Sequence, residues 1–269
     1  MTAQLSVRAD AEAETAGAVG AVVASLPVSL KPAAAGADLV GVAGSGGWTG
    51  RAAEAIRRGA KGVVVASPEP EDPTALATIA AEHGAAVVLD QQWAGNPVFA
   101  EAQTGVRTVL TEALAEAVLV DSVAYASPGS DIAALLTEHL AVILACGLDV
   151  GEWRRVQLTG HGYVVSGALP NGAPVALHGI LTSAVPATAK VSVFTATGRA
   201  DVVLPDPSAA WPAEVRAVTP DGATTLPSLY ETSHRHAWRR LRHQISLHSP
   251  NRDLEQFNAL AATVNQLND

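Results

Sequence analysis

The sequence predicts two sheets of different kinds: an α/β half on a shortened parallel sheet, followed by an α+β half on an open-faced, mostly antiparallel sheet. Three observations carry that reading. From Ala37 to Pro97, β-branched runs alternate with alanine-rich helical segments, the rhythm of βαβ crossovers. From Trp153 to Val218, short strand-like runs follow one another with turn signals and no helix between them. A helical segment from Asp131 to Cys146 precedes that second series. The change of rhythm divides the chain into domains at 1–112 and 113–269.

Each element has a local reason. Gln4–Arg8 is the first candidate strand, and Pro32–Gly36 is an alanine-rich turn or linker. Ala37–Ala43 is an apolar run suited to a strand buried on both faces. Gly44-Ser45-Gly46-Gly47-Trp48-Thr49-Gly50 turns the chain, and Arg51–Arg58 is a helix stopped by Gly59. Lys61–Ser67 is a second strand, stopped by Pro68. Pro73–His83 is a helix closed by Gly84, Ala85–Leu89 a third strand, and Pro97–Gly105 a further helix. In the second half Ala115–Ala126 reads as a strand. Strand character recurs at Trp153–Thr159, Tyr163–Ala168, Val175–Leu181, Lys190–Thr197, Ala200–Leu204 and Glu214–Val218. Pro170-Asn171-Gly172 and Pro220-Asp221-Gly222 mark hairpin turns, and Glu231–Leu267 is a helical tail.

Composition narrows the function classes. The chain has 269 residues, enough for an ample core, and a net charge of −9 from 17 basic and 26 acidic residues. That balance argues against nucleic acid and anionic membrane as partners. The single cysteine, Cys146, rules out an internal disulfide framework and fits a reducing cytoplasm, the expected location. No uninterrupted apolar segment reaches the length of a bilayer span.

The candidate cofactor site is the loop Gly44, Ser45, Gly46, Gly47. Its G-x-G-x-x-x-G spacing lies after a strand and before a helix, so it could cradle a phosphate. The segment after the first strand, Ala11-Glu12-Ala13-Glu14, carries no glycine fingerprint and is acidic, which would repel phosphate. The strand after the glycine loop ends in Ala66-Ser67 rather than in an acid for a ribose hydroxyl. Glu69-Pro70-Glu71-Asp72 reads as a cap for the helix near Pro73.

The order and spacing of Gly59-Ala60-Lys61-Gly62-Val63-Val64-Val65-Ala66-Ser67-Pro68, Pro73–Gly84, Val87–Trp93 and Asn96-Pro97 resemble the Gfo/Idh/MocA (glucose-fructose oxidoreductase and inositol dehydrogenase) family. That resemblance implies an N-terminal Rossmann domain, an open-faced C-terminal sheet, NAD or NADP as cofactor, and a sugar or polyol substrate. It also implies pairing with another subunit through the open sheet face, in a homo-oligomer or with a related chain. This chain departs from the family pattern in three places. Its N-terminal half is short. Ala66 and Ser67 stand where the family carries Glu-Lys, with Ser67 at the lysine position beside the cofactor. His139 occupies the histidine place of the family's Asp-x-x-x-His pair, but Leu135 stands one turn before it.

Two readings follow. In the first, the chain has lost hydride transfer and serves as a binding or structural subunit. In the second, it is a working NAD(P)-dependent oxidoreductase, or a non-redox enzyme, with His139 as acid/base and Gly44–Gly47 at the phosphates. The plain alternative for His139 is a helix histidine satisfied by a local hydrogen bond. His234, His236, His243 and His248 read as part of a solvated basic helix, not as metal ligands, and no metal is expected. His161 and His178 fall on expected strands.

Overall fold

The computed structural model describes residues 4–100, 105–208, 211–247 and 252–268. The chain divides into two compact units, Met1–Gly95 with Ser233–Ala262, and Asn96–Thr232 with Thr263–Asp269.

The first unit is built on five parallel strands: β1 (Leu5–Ala9), β2 (Leu30–Pro32), β3 (Leu39–Ala43), β4 (Gly62–Ala66) and β5 (Ala86–Asp90), in the order β2-β1-β3-β4-β5. Helices α1 (Ala11–Gly17) and α2 (Val19–Ser25) join β1 to β2. Helices α3 (Trp48–Arg57) and α4 (Thr74–His83) make the next two crossovers. The direction of travel reverses between β1 and β3, so their carboxyl ends form a topological switch point, the crevice where open α/β sheets place ligands.

The β2-to-β3 connection, residues 33–38, holds no helix. Parallel neighbours ordinarily need a dozen or more residues to return to the start of the next strand. Here the stagger removes the return. Val7 faces Pro32 at the end of β2 on one side and Leu39 at the start of β3 on the other, so a short loop only has to pass under β1. Asp38 anchors that loop. Its carboxylate accepts from the Ser6 amide and hydroxyl and meets Lys61 at 2.7 Å. Those contacts, Lys61 foremost, hold its pKa well below the usual carboxylate range.

One face of this sheet is covered by α2 and by α7 (Ser233–Leu247), which packs on β4 and β5. Val7, Val22, Leu39, Val88, Trp238 and Leu241 share that core. A Cβ at Gly62 would lie 2.8 Å from Leu241, so the glycine admits α7 to the sheet. The first tail helix, expected in the second domain, packs on this sheet. Ala237 and Trp238, each three or four residues before Leu241, form with it an apolar stripe that the parallel sheet buries.

The second unit is an eight-stranded sheet. It contains β6 (Ala117–Ala126), β7 (Arg154–Thr159), β8 (Gly162–Ala168), β9 (Pro174–Leu181), β10 (Thr188–Thr195), β11 (Arg199–Pro205), β12 (Glu214–Thr219) and β13 (Gly222–Thr225). The order is β13-β12-β11-β10-β6-β9-β8-β7, antiparallel except for β6 with β9. Helices α5 (Val106–Ala115) and α6 (Ile132–Ala145) pack on it. Val120, Ser122 and Ala124 of β6 are buried while Leu119, Asp121 and Val123 are less so, the alternation of a sheet with one covered face.

The fold class expected from sequence is therefore the observed one. The expected helix at Pro97–Gly105 is replaced by a single 3-10 turn at Pro97–Phe99, with residues 101–104 outside the described set, and by α5 beginning at Val106. Gly105, at φ 72°, starts α5 rather than ending a helix. The last helix is α8 (Arg252–Asn268). No helix among the described residues is long and apolar enough to cross a membrane.

Candidate functional site

At the carboxyl ends of β3 and β4 the loops continue to pair after the strands stop. The Gly44 amide donates to Ala66 (2.7 Å), the Glu69 amide to Gly44 (2.8 Å) and the Ser67 amide to Asp90 (3.0 Å). A Cβ at Gly44 would lie 2.3 Å from the Ser67 carbonyl oxygen, so this glycine is required by backbone approach. Ser67 itself has φ 51°, the left-handed region that a non-glycine residue seldom occupies. The five expected cofactor residues, Gly44, Ser45, Gly46, Gly47 and Ser67, thus lie in one loop cluster.

Carboxylates from the same unit accept from several amides of this cluster. A phosphate on the glycine loop would take the amides at the N-terminus of α3. Those amides, from Gly47 and Thr49, donate to Glu71, which also accepts from the Thr49 hydroxyl at 3.0 Å. At the N-terminus of α1 the Ala13 amide donates to Asp10 at 2.7 Å. Ser45 donates to Glu12 at 3.3 Å. The loop carbonyls are held as well, because the Arg51 guanidinium donates to Ala43, Ser45 and Gly46. The Trp48 indole donates to the Glu69 carbonyl (2.9 Å), fixing the acidic loop beside the glycines.

Two of the amides at the start of α3 are thus engaged by a carboxylate of the same unit. Carboxylates complement the helix dipoles that the phosphates would need, and a second anion would have to displace them. The sequence signal was partly visible in Glu12 and Glu14. Glu71, expected to cap the helix near Pro73, caps α3 instead. Asp72 is the residue that caps the next helix, accepting from the Thr74 amide at 2.8 Å and from its hydroxyl.

In the second unit His139 of α6 is fully buried. Nε2 lies 2.7 Å from the Ser122 hydroxyl and Nδ1 lies 2.9 Å from the Tyr163 hydroxyl. The Ser122 hydroxyl has one proton and gives it to the Lys190 carbonyl at 2.8 Å. It therefore accepts from Nε2–H, which leaves Nδ1 to accept from Tyr163. Burial holds the imidazole neutral, with its pKa lowered to about 3. Tyr163 lies over Gly179 of β9, its cross-strand partner, where a Cβ would meet the ring at 2.1 Å. Both ring nitrogens are thus committed to core hydroxyls, as in the local-hydrogen-bond reading.

The histidines of α7 differ from the sequence expectation. His234 and His236 are buried, not solvated, because they lie on the side of α7 that faces the unit's interior. His234 Nδ1 is 2.7 Å from Asp90 Oδ2, at the end of β5. His243 is exposed and His248 lies outside the described residues. His161 falls in the turn before β8, and His178 on β9 lies 3.3 Å from Asp121. Among the described residues no group of three or more His, Cys, Asp or Glu side chains is placed to hold a metal ion. Cys146 is buried, its thiol pushed up to about 12 by desolvation.

The two sheets define a protein with a five-stranded, doubly wound Rossmann-like sheet and a larger, mostly antiparallel sheet with helices on one face. Among solved structures the chain is similar to a mutant of KijD10, a 3-ketoreductase from Actinomadura kijaniata in complex with TDP-benzene and NADP. The identity is 15%, over 99% of this chain and 97% of that one, with a TM-score of 0.72. It is also similar to the UDP-N-acetylglucosamine 3-dehydrogenase GnnA from Acidithiobacillus ferrooxidans, at 12% identity over 99% of this chain and 97% of that one, with a TM-score of 0.67. At these identities the likeness is one of fold. Comparison with protein-family models finds no match, and comparison with curated sequences finds none.

Proposed function

We propose that this chain is a Gfo/Idh/MocA-like protein that has lost hydride transfer and works as a sugar-binding or structural subunit of an oligomer. The observation that carries this reading is the carboxylate of Glu71 on the Gly47 and Thr49 amides, with Asp10 capping α1 in the same crevice. The commitment of both His139 nitrogens to Ser122 and Tyr163 supports it. The uncovered face of the large sheet, with Leu119 and Ile180 more than a third exposed, is the proposed contact with a second subunit.

A second reading is favoured by a specific observation. Similarity over nearly the whole chain to the NADP-bound 3-ketoreductase and to the 3-dehydrogenase supports an active NAD(P)-dependent oxidoreductase on a sugar, with Gly44–Gly47 at the phosphates and His139 as acid/base.

Calorimetric titration with NAD, NADH, NADP and NADPH separates the two. The proposal expects no heat from the wild type. Micromolar binding that disappears in Gly46→Asp would overturn it in favour of the oxidoreductase. Sedimentation of the wild type beside Ile180→Asp tests the subunit contact, which a wild-type monomer would refute.

A further inference from the structure

At the amino-terminal ends of β4 and β5, the far end of the strands from the crevice cluster, the first unit has a hollow of about 580 Å³. That volume falls within the range of roughly 300–1,000 Å³ usual for small-molecule sites. It is bounded by the ends of α3 and α4, the starts of β4 and β5, and residues of α7 and α8. None of Asp10, Gly44–Gly47, Ser67 or Glu71 lines it.

The apolar surface that the hollow offers is small. Ala77 and Ala81 stand one turn apart on α4, and Ile245 comes from α7; Ala81 is exposed and the other two are half-buried.

The polar groups around that surface are mostly acceptors. Both α3 and α4 end at the hollow, beside Gly59 and Gly84, and a helix C-terminus carries partial negative charge on its last carbonyls. His83 donates from Nδ1 to the Ile79 carbonyl at 3.0 Å, which leaves Nε2 of the neutral ring to accept. Gln244 Oε1 is buried with no hydrogen-bond partner. Glu255 is exposed on the rim and makes no hydrogen bond or ion pair among the described residues. Lys61, the lysine of the lining, is turned to Asp38 at 2.7 Å.

The fold does not explain this set. A carboxylate near two helix C-termini sits where a cation is favoured, and a buried acceptor without a donor is destabilising.

We propose that this hollow binds a small aliphatic amine, with its ammonium at Glu255 and the helix-end carbonyls and its methylenes on Ala77, Ala81 and Ile245. An ammonium has three donors and no acceptor, the complement of these groups. A carboxylate or phosphate ligand would instead meet Glu255 and two negative helix ends. The site shares no residue with the crevice cluster, so it stands whether or not a dinucleotide binds there.

The test is calorimetry of the full chain with n-butylamine, putrescine and, as the neutral match, n-butanol. Submillimolar binding of both amines and none of butanol is expected. Glu255→Gln should weaken the amines about fivefold, the worth of one partly exposed ion pair. Ala81→Phe, which fills the hollow from the exposed side of α4, should abolish binding while leaving the melting temperature at that of wild type. Glu116→Gln, in the second unit, should bind as wild type. Absence of heat with either amine overturns the proposal, as does binding that survives both Glu255→Gln and Ala81→Phe. Equal weakening by Glu116→Gln and Glu255→Gln also overturns it, since the amines would then follow the net charge of −9 and not this site.

Discussion

His139 and His234 are both buried histidines near the start or middle of a helix, one in each unit, and their partners give them opposite roles. His139 sits between two hydroxyls, Ser122 and Tyr163. Neither can compensate a positive charge, so the ring is neutral and acts as a two-ended hydrogen-bond bridge between α6, β6 and β8. His234 sits against the carboxylate of Asp90, which is itself fully buried at the end of β5. A carboxylate beside an imidazole gives a charge-assisted bond that ties the first turn of α7 to the parallel sheet. The contrast teaches that burial alone does not define a histidine's task; the chemistry of the atom at Nδ1 does.

The largest effect that tests this contrast is expected from the carboxylate side. Asp90→Ala removes the carboxylate that meets His234 Nδ1, and losing a hydrogen bond to a charged group typically costs about 1.5–3 kcal/mol. Chemical denaturation should show the loss. A change below about 1 kcal/mol would mean that the pair contributes little and that α7 is held by Trp238 and Leu241 alone.

A smaller effect is expected at the neutral histidine. Tyr163→Phe keeps the ring over Gly179 but removes the hydroxyl that donates to Nδ1, leaving a buried acceptor unpaired at about 1–3 kcal/mol. Equal losses from Asp90→Ala and Tyr163→Phe in parallel denaturation curves would erase the distinction between the two sites.

The same contrast explains what was legible in the sequence. β3, β4 and β5 were readable because each is a β-branched run bounded by glycine or proline, and a strand covered on both faces needs little else. The hairpin at Pro170-Asn171-Gly172 was readable because Gly172 supplies φ 84° and Asn171 accepts from the Ala173 amide. β2 was not, since three residues carry no periodicity and the stagger that dispenses with a crossover helix exists only once β1 is in place. The site was legible in its glycines and illegible in its carboxylates. Glu71 lies more than twenty residues from the Gly47 amide it accepts from, and nothing local distinguishes it from Asp72, which caps the nearer helix. The arginines of α7 obscured its apolar stripe, so His234 and His236 read as solvated when Asp90 and the sheet bury them.

The sharpest version of the comparison is its pH dependence at His139. The ordinary histidine pKa is near 6.5, and burial lowers that of His139 to about 3 in the folded protein. Below pH 6.5 the unfolded chain therefore binds a proton at this position that the folded chain refuses. Stability from this site is complete above about pH 6.5 and is lost as pH falls toward 3, with a slope of up to about 1.4 kcal/mol per pH unit. His139→Asn removes the titrating group, so its stability between pH 6 and 4 should fall less steeply than that of wild type by about that slope. The difference between the two profiles isolates this histidine from the carboxylates, which titrate in both proteins. Parallel profiles would show that His139 accepts a proton in the folded state, and the neutral bridge between Ser122 and Tyr163 would have to be abandoned for a ring that can exchange protons, as the oxidoreductase reading requires.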